Sequence, residues 1–374
     1  MRIAIVTLTT TARRTGVAEY LINLLEQLQR LDMQNEYYIF TGRDNRYMFD
    51  IYAPTFHEVK LPLTHASLQR PLFYFWLSFL LPLWCKRKKI DVVHLPNTLF
   101  VSGFFPSVST IHDVVELKIA KYSALRTLFR KIMVKSAILR SQRIITVSQS
   151  SARDLVDLGA HRIQSIHLGF TNPYQSFSPV QQDEVILNKY ELDKNKYLLF
   201  VGTMLRHKNI PTLIQSFSRV ARSNDILKLV LVGAPDNDYQ NCVAIIEKLK
   251  LGKRVVLLNF VSHEEKLILL RNTLIFCFIS SYEGFGIPIL EAQAAQVPVI
   301  VNNISSLPEV GGDGVYLVQP ENLEEDTENA INELFHNPSL RADLVAKGVN
   351  NITRFSWEDF ALKTLRVYND FKKV

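Results

Sequence analysis

The sequence predicts an α/β protein made of two doubly wound parallel-sheet domains, and three observations carry that prediction. Short apolar runs alternate with helical patterns along the whole chain, the signature of parallel strands covered by helices on both faces. The alternation occurs twice. The two series are separated near residues 175–195 by a boundary that opens with Thr171-Asn172-Pro173-Tyr174-Gln175-Ser176-Phe177-Ser178-Pro179, a stretch rich in turn formers. At 374 residues the chain is long enough for two domains of ordinary size.

In the first series the predicted strands cover residues 3–8, 36–40, 92–95, 108–111 and 143–147. In the second they cover 197–201, 227–232, 255–258, 274–279, 297–301 and 315–318. Their alternation with helical patterns implies parallel sheets covered on both faces. Helical periodicity is expected at 17–31, 125–139, 210–221 and 243–249. The first domain is placed at 1–180 and the second at 190–355, with a last helix, 357–374, returning to the first. Ligands of such folds bind beyond the carboxyl ends of the strands, so the expected site is a cleft between the domains.

Composition narrows the class. Hydrophobic residues make up 47% and charged residues 21%, as in globular proteins. Cys85, Cys242 and Cys277 are odd in number and lack metal spacing, so free thiols in a reducing compartment are expected. The first apolar run, Arg2 to Leu8, is short and followed by threonines, and it reads as a strand, not a signal peptide. Residues 1–180 carry 22 Lys+Arg against 12 Asp+Glu, a net of +10, whereas the remainder nets −3. The basic half therefore suits an acidic partner. No Gly-x-Gly-x-x-Gly follows a strand, which disfavours a nicotinamide enzyme, and no nucleic-acid-binding motif is present. Asp236-Asn237-Asp238 follows a strand and turn and reads as a polar turn, not a metal site.

The most informative segment is Ser281-Tyr282-Glu283-Gly284-Phe285-Gly286-Ile287-Pro288-Ile289-Leu290-Glu291-Ala292. It follows a buried apolar run. Gly284 and Gly286 permit backbone conformations closed to other residues. Pro288 suits the first turn of a helix, and good helix formers follow. A strand, a glycine turn and a helix start leave N–H groups of Phe285, Gly286 and Ile287 for a phosphate. Glu283 and Glu291 are suited to accept hydrogen bonds from sugar and ribose hydroxyls.

Four segments in order make the chain resemble the retaining glycosyltransferases of family 4. The Glu-x7-Glu segment is the first. The others are Phe200-Val201-Gly202-Thr203-Met204-Leu205-Arg206-His207-Lys208-Asn209, Thr110-Ile111-His112-Asp113-Val114 and Ile145-Thr146-Val147-Ser148-Gln149-Ser150-Ser151. Weaker matches are Gly16, Asp91-Val92-Val93-His94 and Ser306-Leu307-Pro308-Glu309-Val310. The resemblance implies the GT-B architecture: two Rossmann-like domains facing each other across a cleft. The sequence departs from the family pattern at Gln296, where a glycine is usual, and in a first loop with one glycine, not two. Where some relatives have Arg before the loop lysine, this chain has His207, with Arg206 one position earlier.

The resemblance also implies roles. Lys208, with Arg206 or His207, the Thr203 loop and the turn Gly284-Phe285-Gly286-Ile287, would hold the donor diphosphate. Glu291 would accept the ribose hydroxyls and Glu283 those of the transferred sugar. His112 would touch that sugar from the first domain, and Gly16 would let its loop approach the phosphates. His112, Lys208 and Glu283 are the expected catalytic residues. The expected reaction is retaining and metal-independent, without a cofactor, because the nucleotide sugar is a substrate. Glucose from UDP-glucose is the expected donor, and a lipid-linked or growing saccharide the expected acceptor, in synthesis of polysaccharide such as exopolysaccharide. GDP-mannose or another nucleotide sugar is the alternative donor, and an inactive GT-B scaffold subunit the alternative role. Base selection is expected at the backbone near Phe260-Val261.

Residues 72–85 form an apolar run ending at Lys86-Arg87-Lys88-Lys89. It is too short to span a bilayer and is interrupted by Pro82. It reads either as a buried helix or as an interfacial segment against anionic lipid. A second basic helix carries Arg126, Arg130, Lys131, Lys135 and Arg140. The expected location is cytoplasmic, with peripheral contact at the inner face of the cell membrane.

Overall fold

The structure, a computed structural model, describes residues 1–10, 16–64, 71–99, 101–119, 124–177 and 181–372. The chain divides into two compact units. One comprises Met1–Gly169 with Phe355–Val374, and the other Phe170–Arg354.

In the first unit, β1 (Arg2–Val6), β2 (Glu36–Thr41), β3 (Phe56–Lys60), β4 (Val92–Leu95), β5 (Ser107–Thr110), β6 (Arg143–Thr146) and β7 (Ile163–Ser165) form one sheet in the order β3-β2-β1-β4-β5-β6-β7. In the second, β8 (Tyr197–Val201), β9 (Lys228–Val232), β10 (Val255–Leu258), β11 (Ile275–Phe278), β12 (Val299–Asn302) and β13 (Tyr316–Val318) are ordered β10-β9-β8-β11-β12-β13. All pairings are parallel. Both units are thus the doubly wound α/β domains that the sequence predicts. The central strands are buried along almost their whole length; those of the second sheet appear as unbroken apolar runs, whereas β5, Ser107-Val108-Ser109-Thr110, is buried although mostly polar. β3 and β7 were not expected. Both lie at sheet edges and are half exposed, so neither Phe-His-Glu-Val-Lys nor Ile-Gln-Ser carries an apolar run.

Each strand order reverses once, between β1 and β4 and between β8 and β11. The loops leaving the two strands at such a point turn to opposite faces and open a crevice at the carboxyl ends. In the second unit these are the Gly202 loop and the Ser281–Gly286 turn.

The helix Trp357–Asn369, capped by Ser356, packs on the helix Gly16–Leu31 in the first unit. Gly169 makes the return possible, because a Cβ there would lie 2.3 Å from the Trp357 nitrogen. The helix is tied in by a buried polar chain. Tyr368 Oη lies 2.6 Å from His94 Nδ1, His94 Nε2 lies 2.8 Å from Thr110 Oγ1, and Thr110 Oγ1 lies 3.0 Å from Tyr20 Oη. Burial pushes the His94 imidazole down to about 3, with a smaller contribution from His112. The folded protein therefore keeps His94 neutral, while the unfolded chain protonates it below about 6.5. Stability is expected to fall as pH drops from about 6.5 toward 3, with this residue contributing about 1.4 kcal/mol per pH unit. Urea unfolding at a series of pH values measures the slope, and a His94→Asn variant should lose this residue's share of it.

Candidate functional site

The site in the second unit is assembled from the loops after β8 and β11. After β8, Gly202 adopts φ +159° and Gly233, after β9, φ +154°. A Cβ on Gly233 would sit 1.9 Å from the Gly202 carbonyl oxygen, so only glycine allows these two loops to touch. Thr203 O accepts from the Leu205 amide at 2.8 Å, and the chain then makes a single 3-10 turn, Arg206–Lys208. Asn209 follows in the left-handed conformation, and its amide group donates to Ile279 O at 2.9 Å. The carbonyl of buried His207 accepts from the Ser281 amide at 2.7 Å. These two bonds stitch the lysine loop to the end of β11.

The stitching brings Lys208 to Glu283. The ammonium and carboxylate form a hydrogen-bonded ion pair in which both side chains are mostly buried, 13% and 15% exposed. The ammonium also lies 5.1 Å from the centre of the Phe278 ring, within cation–π range. The backbone of Glu283 is held in turn: its amide donates to Ser305 Oγ at 3.2 Å, and its carbonyl accepts from Ser305 Oγ at 2.7 Å and Ser306 Oγ at 2.9 Å. Ser306 Oγ also lies 2.7 Å from Phe285 O. Gly286 then takes φ +117°, a conformation that favours glycine, and caps the helix Ile287–Ala294 with Pro288 in its first turn. Among the described residues the amides of Gly286 and Ile287 have no protein acceptor, as the start of a helix dictates.

Glu291 lies on the same helix and is paired with Lys266, Nζ to Oε1 2.6 Å. Lys266 belongs to the helix His263–Asn272, whose start is fixed by a capping box between Ser262 and Glu265. Sequence reasoning missed Lys266. The capping box reveals where its helix begins, but not that Lys266 meets a carboxylate 25 positions on. Ser305 was missed too, and Ser306 was noted only as part of a weak match.

Arg206 is exposed, whereas His207 is buried with its backbone occupied. Asp236-Asn237-Asp238 is a turn that buttresses the loop: Asn237 Oδ1 accepts from the Arg206 amide at 3.2 Å, and the Asp238 amide donates to Met204 O at 3.2 Å. Among the described residues no group of His, Cys, Asp and Glu is placed to hold a metal ion.

In the first unit His112 follows β5. Its Nε2 donates to Pro96 O at 3.1 Å, and its ring stands edge-on to Tyr20 at 4.9 Å. Burial lowers the imidazole's pKa, opposed by the Pro96 contact and Asp113. The His112 carbonyl accepts from Ser151 Oγ at 3.2 Å, and Ser148 caps the helix on which Ser151 sits. The Thr-x-His-Asp and Val-Ser-x-Ser segments are therefore in direct contact. Gly16 opens its helix, and a Cβ there would have no neighbour within 4 Å. Residues 11–15 before it lie outside the described residues.

The two halves of the chain match two family models: "Glycosyltransferase Family 4" over residues 14–171 and "Glycosyl transferases group 1" over 182–350. The chain belongs to glycosyltransferase family 4. The enzyme is 28% identical to O-antigen chain mannosyltransferase B of Escherichia coli, over 76% of each chain. It is 26% identical to O-antigen chain mannosyltransferase RfbU of Salmonella typhimurium, over 79% of this chain and 78% of that one. Its fold matches sucrose-phosphate synthase from Thermosynechococcus elongatus, with TM-score 0.76, 21% identity and coverage of 99% and 98%. It also matches Anabaena HepE in complex with UDP and glucose, with TM-score 0.73, 17% identity and coverage of 99% of each chain. These are GT-B structures, so the fold class of both domains is that of a GT-B glycosyltransferase.

The departure at Gln296 has a structural cost. Gln296 adopts φ +59° just beyond the helix Ile287–Ala294, while the Val297 amide donates back to Ala292 O at 3.1 Å. This is the left-handed helix exit that glycine fills without strain. Gln296→Gly is expected to raise stability by about 1 kcal/mol, the strain relieved less the added freedom of the unfolded chain. Urea unfolding of the two proteins checks it.

Proposed function

We propose that this glycosyltransferase moves a hexose from a nucleotide-sugar donor to a saccharide acceptor in polysaccharide synthesis, with retention of anomeric configuration. The observation that carries the reading is the Lys208–Glu283 pair at the turn that leads to the amides of Gly286 and Ile287, which have no acceptor among the described residues. Lys208, the exposed Arg206 and the helix start supply fixed positive charge for a departing diphosphate, the kind of electrostatic stabilisation that usually dominates catalysis. Arg206, not His207, completes this clamp, because His207 is buried. With this charge in place the reaction proceeds without a metal ion. Glu283 accepts from the transferred sugar, Glu291 takes the ribose, and His112 contacts the sugar. The acceptor attacks the anomeric carbon on the face the diphosphate leaves, a phosphate oxygen takes the acceptor's proton, and no separate base is needed.

For the donor sugar, mannose is favoured by the names of the relatives at 26–28% identity. UDP-glucose, expected from the sequence, remains the second reading. The structure that contains UDP and glucose is only 17% identical and speaks for the fold alone. Thermal-shift screening of GDP-mannose, UDP-glucose and related donors should show selective stabilisation by one. With that donor, Lys208→Ala is expected to lower turnover by about 10²–10³, and Glu291→Ala to weaken nucleotide binding. Unchanged kinetics in both would overturn the assignment.

The acceptor is proposed to be lipid-linked and met at the inner face of the cell membrane. The apolar run forms the helix Pro71–Phe75, the π-helical turn Trp76–Leu80 and the helix Leu81–Lys88. Phe73, Leu77, Leu81 and Cys85 point inward, while Phe75, Phe79 and Leu83 are exposed. Phe104 is 69% exposed and lies near Phe79, ring centres 6.5 Å apart. Lys86, Arg87, Lys88 and Lys89 are exposed at the end of the segment. Among the described residues no helix is long and apolar enough to cross a membrane. The arrangement suits contact with an anionic surface, apolar side chains entering and basic ones meeting headgroups. Flotation with anionic vesicles should show binding at low salt that weakens as salt rises, and should be reduced by Phe79→Ser with Leu83→Ser. No binding at low salt would refute it.

A further inference from the structure

Both carboxylates of the donor site are paired with lysines, and only one of those lysines lies in a segment that resembles the family's. Lys266 is the other. Its helix start is held rigidly: Ser262 Oγ accepts from the Glu265 amide at 3.1 Å, and the Glu265 carboxylate accepts from the Ser262 amide at 2.7 Å. The same carboxylate takes Lys189 Nζ at 2.5 Å and Tyr190 Oη at 3.0 Å. Glu265 is thus fully engaged, and Lys266, one residue on, is directed to Glu291 instead. Lys266 Nζ bonds Oε1 of Glu291 alone, leaving Oε2 without a protein partner among the described residues and leaving two ammonium protons unused. Both side chains are largely shielded, 21% and 17% exposed.

We infer that Lys266 and Glu291 form one recognition unit for the vicinal diol of the donor's ribose. The inference rests on the assignment of Glu291 to the ribose. A carboxylate only accepts hydrogen bonds and an ammonium only donates them, whereas each ribose hydroxyl does both. One hydroxyl donates to the open Oε2 of Glu291. The oxygen of the 2′-hydroxyl accepts from Lys266. The pair fixes the orientation of the carboxylate before the donor arrives, so that little side-chain freedom is lost on binding. It also makes the site sensitive to the 2′-oxygen: a deoxynucleotide leaves a shielded ammonium proton without an acceptor, which costs more than a missing contact. Lys266 is in this sense a specificity-determining residue that separates ribonucleotide from deoxyribonucleotide donors.

The test is calorimetric titration of UDP and GDP, and of their 2′-deoxy counterparts, into the full-length protein. The wild-type enzyme should prefer the ribonucleotide by about tenfold, the value of one hydrogen bond to a charged group. Lys266→Met should weaken ribonucleotide binding by a similar factor and bring the ribo-to-deoxy ratio close to one. Lys266→Gln, which keeps a donor and avoids a bare apolar chain beside Glu291, should keep part of the ratio, and serves if the methionine variant fails to fold. A ratio unchanged in both Lys266 variants, while Glu291→Ala still loses the nucleotide, would overturn the inference and leave the donor site standing. Undiminished binding in Glu291→Ala would overturn the donor-site reading itself.

Discussion

The parallel pairing of β8 with β11 is the constraint on which the candidate donor site depends. These strands are adjacent in space but far apart in sequence, and they lie where the strand order reverses. Their adjacency brings the loop after one beside the turn after the other. The bonds from Ser281 to His207 O and from Asn209 to Ile279 O then hold that meeting in one register. Without it, Lys208 and Glu283 are 75 residues apart and unrelated. With it, a cation, an anion and the start of a helix converge within one turn of chain. The close approach of Gly202 and Gly233 serves the same end, by letting the loop that carries Lys208 fold flat against its neighbour.

Charge in this site is compensated pair by pair. Lys208 faces Glu283 and Lys266 faces Glu291. A largely shielded charge left alone is costly, and removing one partner of such a pair is far more destabilising than the pair is stabilising. The pairs therefore act less as staples than as a resting arrangement. On the proposed function, a diphosphate would offer Lys208 a second anion, and hydroxyls would offer the carboxylates new donors, so that substrate groups would enter a site already polarised for them without uncovering an unpaired charge.

The segment around residues 71–88 shows the same economy in a different form. Its inward positions recur every fourth residue and pack Phe73, Leu77, Leu81 and Cys85, with Trp76 and Trp84 against Phe40. Its outward positions recur at the same spacing and carry Phe75, Phe79 and Leu83. An ordinary surface helix would place polar residues there. From sequence the run was largely apolar, so a buried helix and an interfacial one were indistinguishable; the fold shows one buried face and one exposed apolar face.

The sequence by itself determined the class of the fold and the identity of the site's loops. In the second sheet the buried central strands are apolar on both faces, so β8, β9, β11 and β12 appeared as runs near their observed positions, and the Gly-Phe-Gly turn announced a helix start. Edge strands β3 and β7 did not appear, because half-exposed strands need no such run. Gln296 was visible as an oddity, and its left-handed conformation gives the reason glycine would suit that position better. Only tertiary structure decided the pairings. That His207 is buried while Arg206 is exposed, that Ser305 and Ser306 hold the turn, and that Lys266 meets Glu291 all depend on contacts between segments distant in sequence. Local periodicity reports which face of an element is buried; it carries no information about which side chain another element will bring to it.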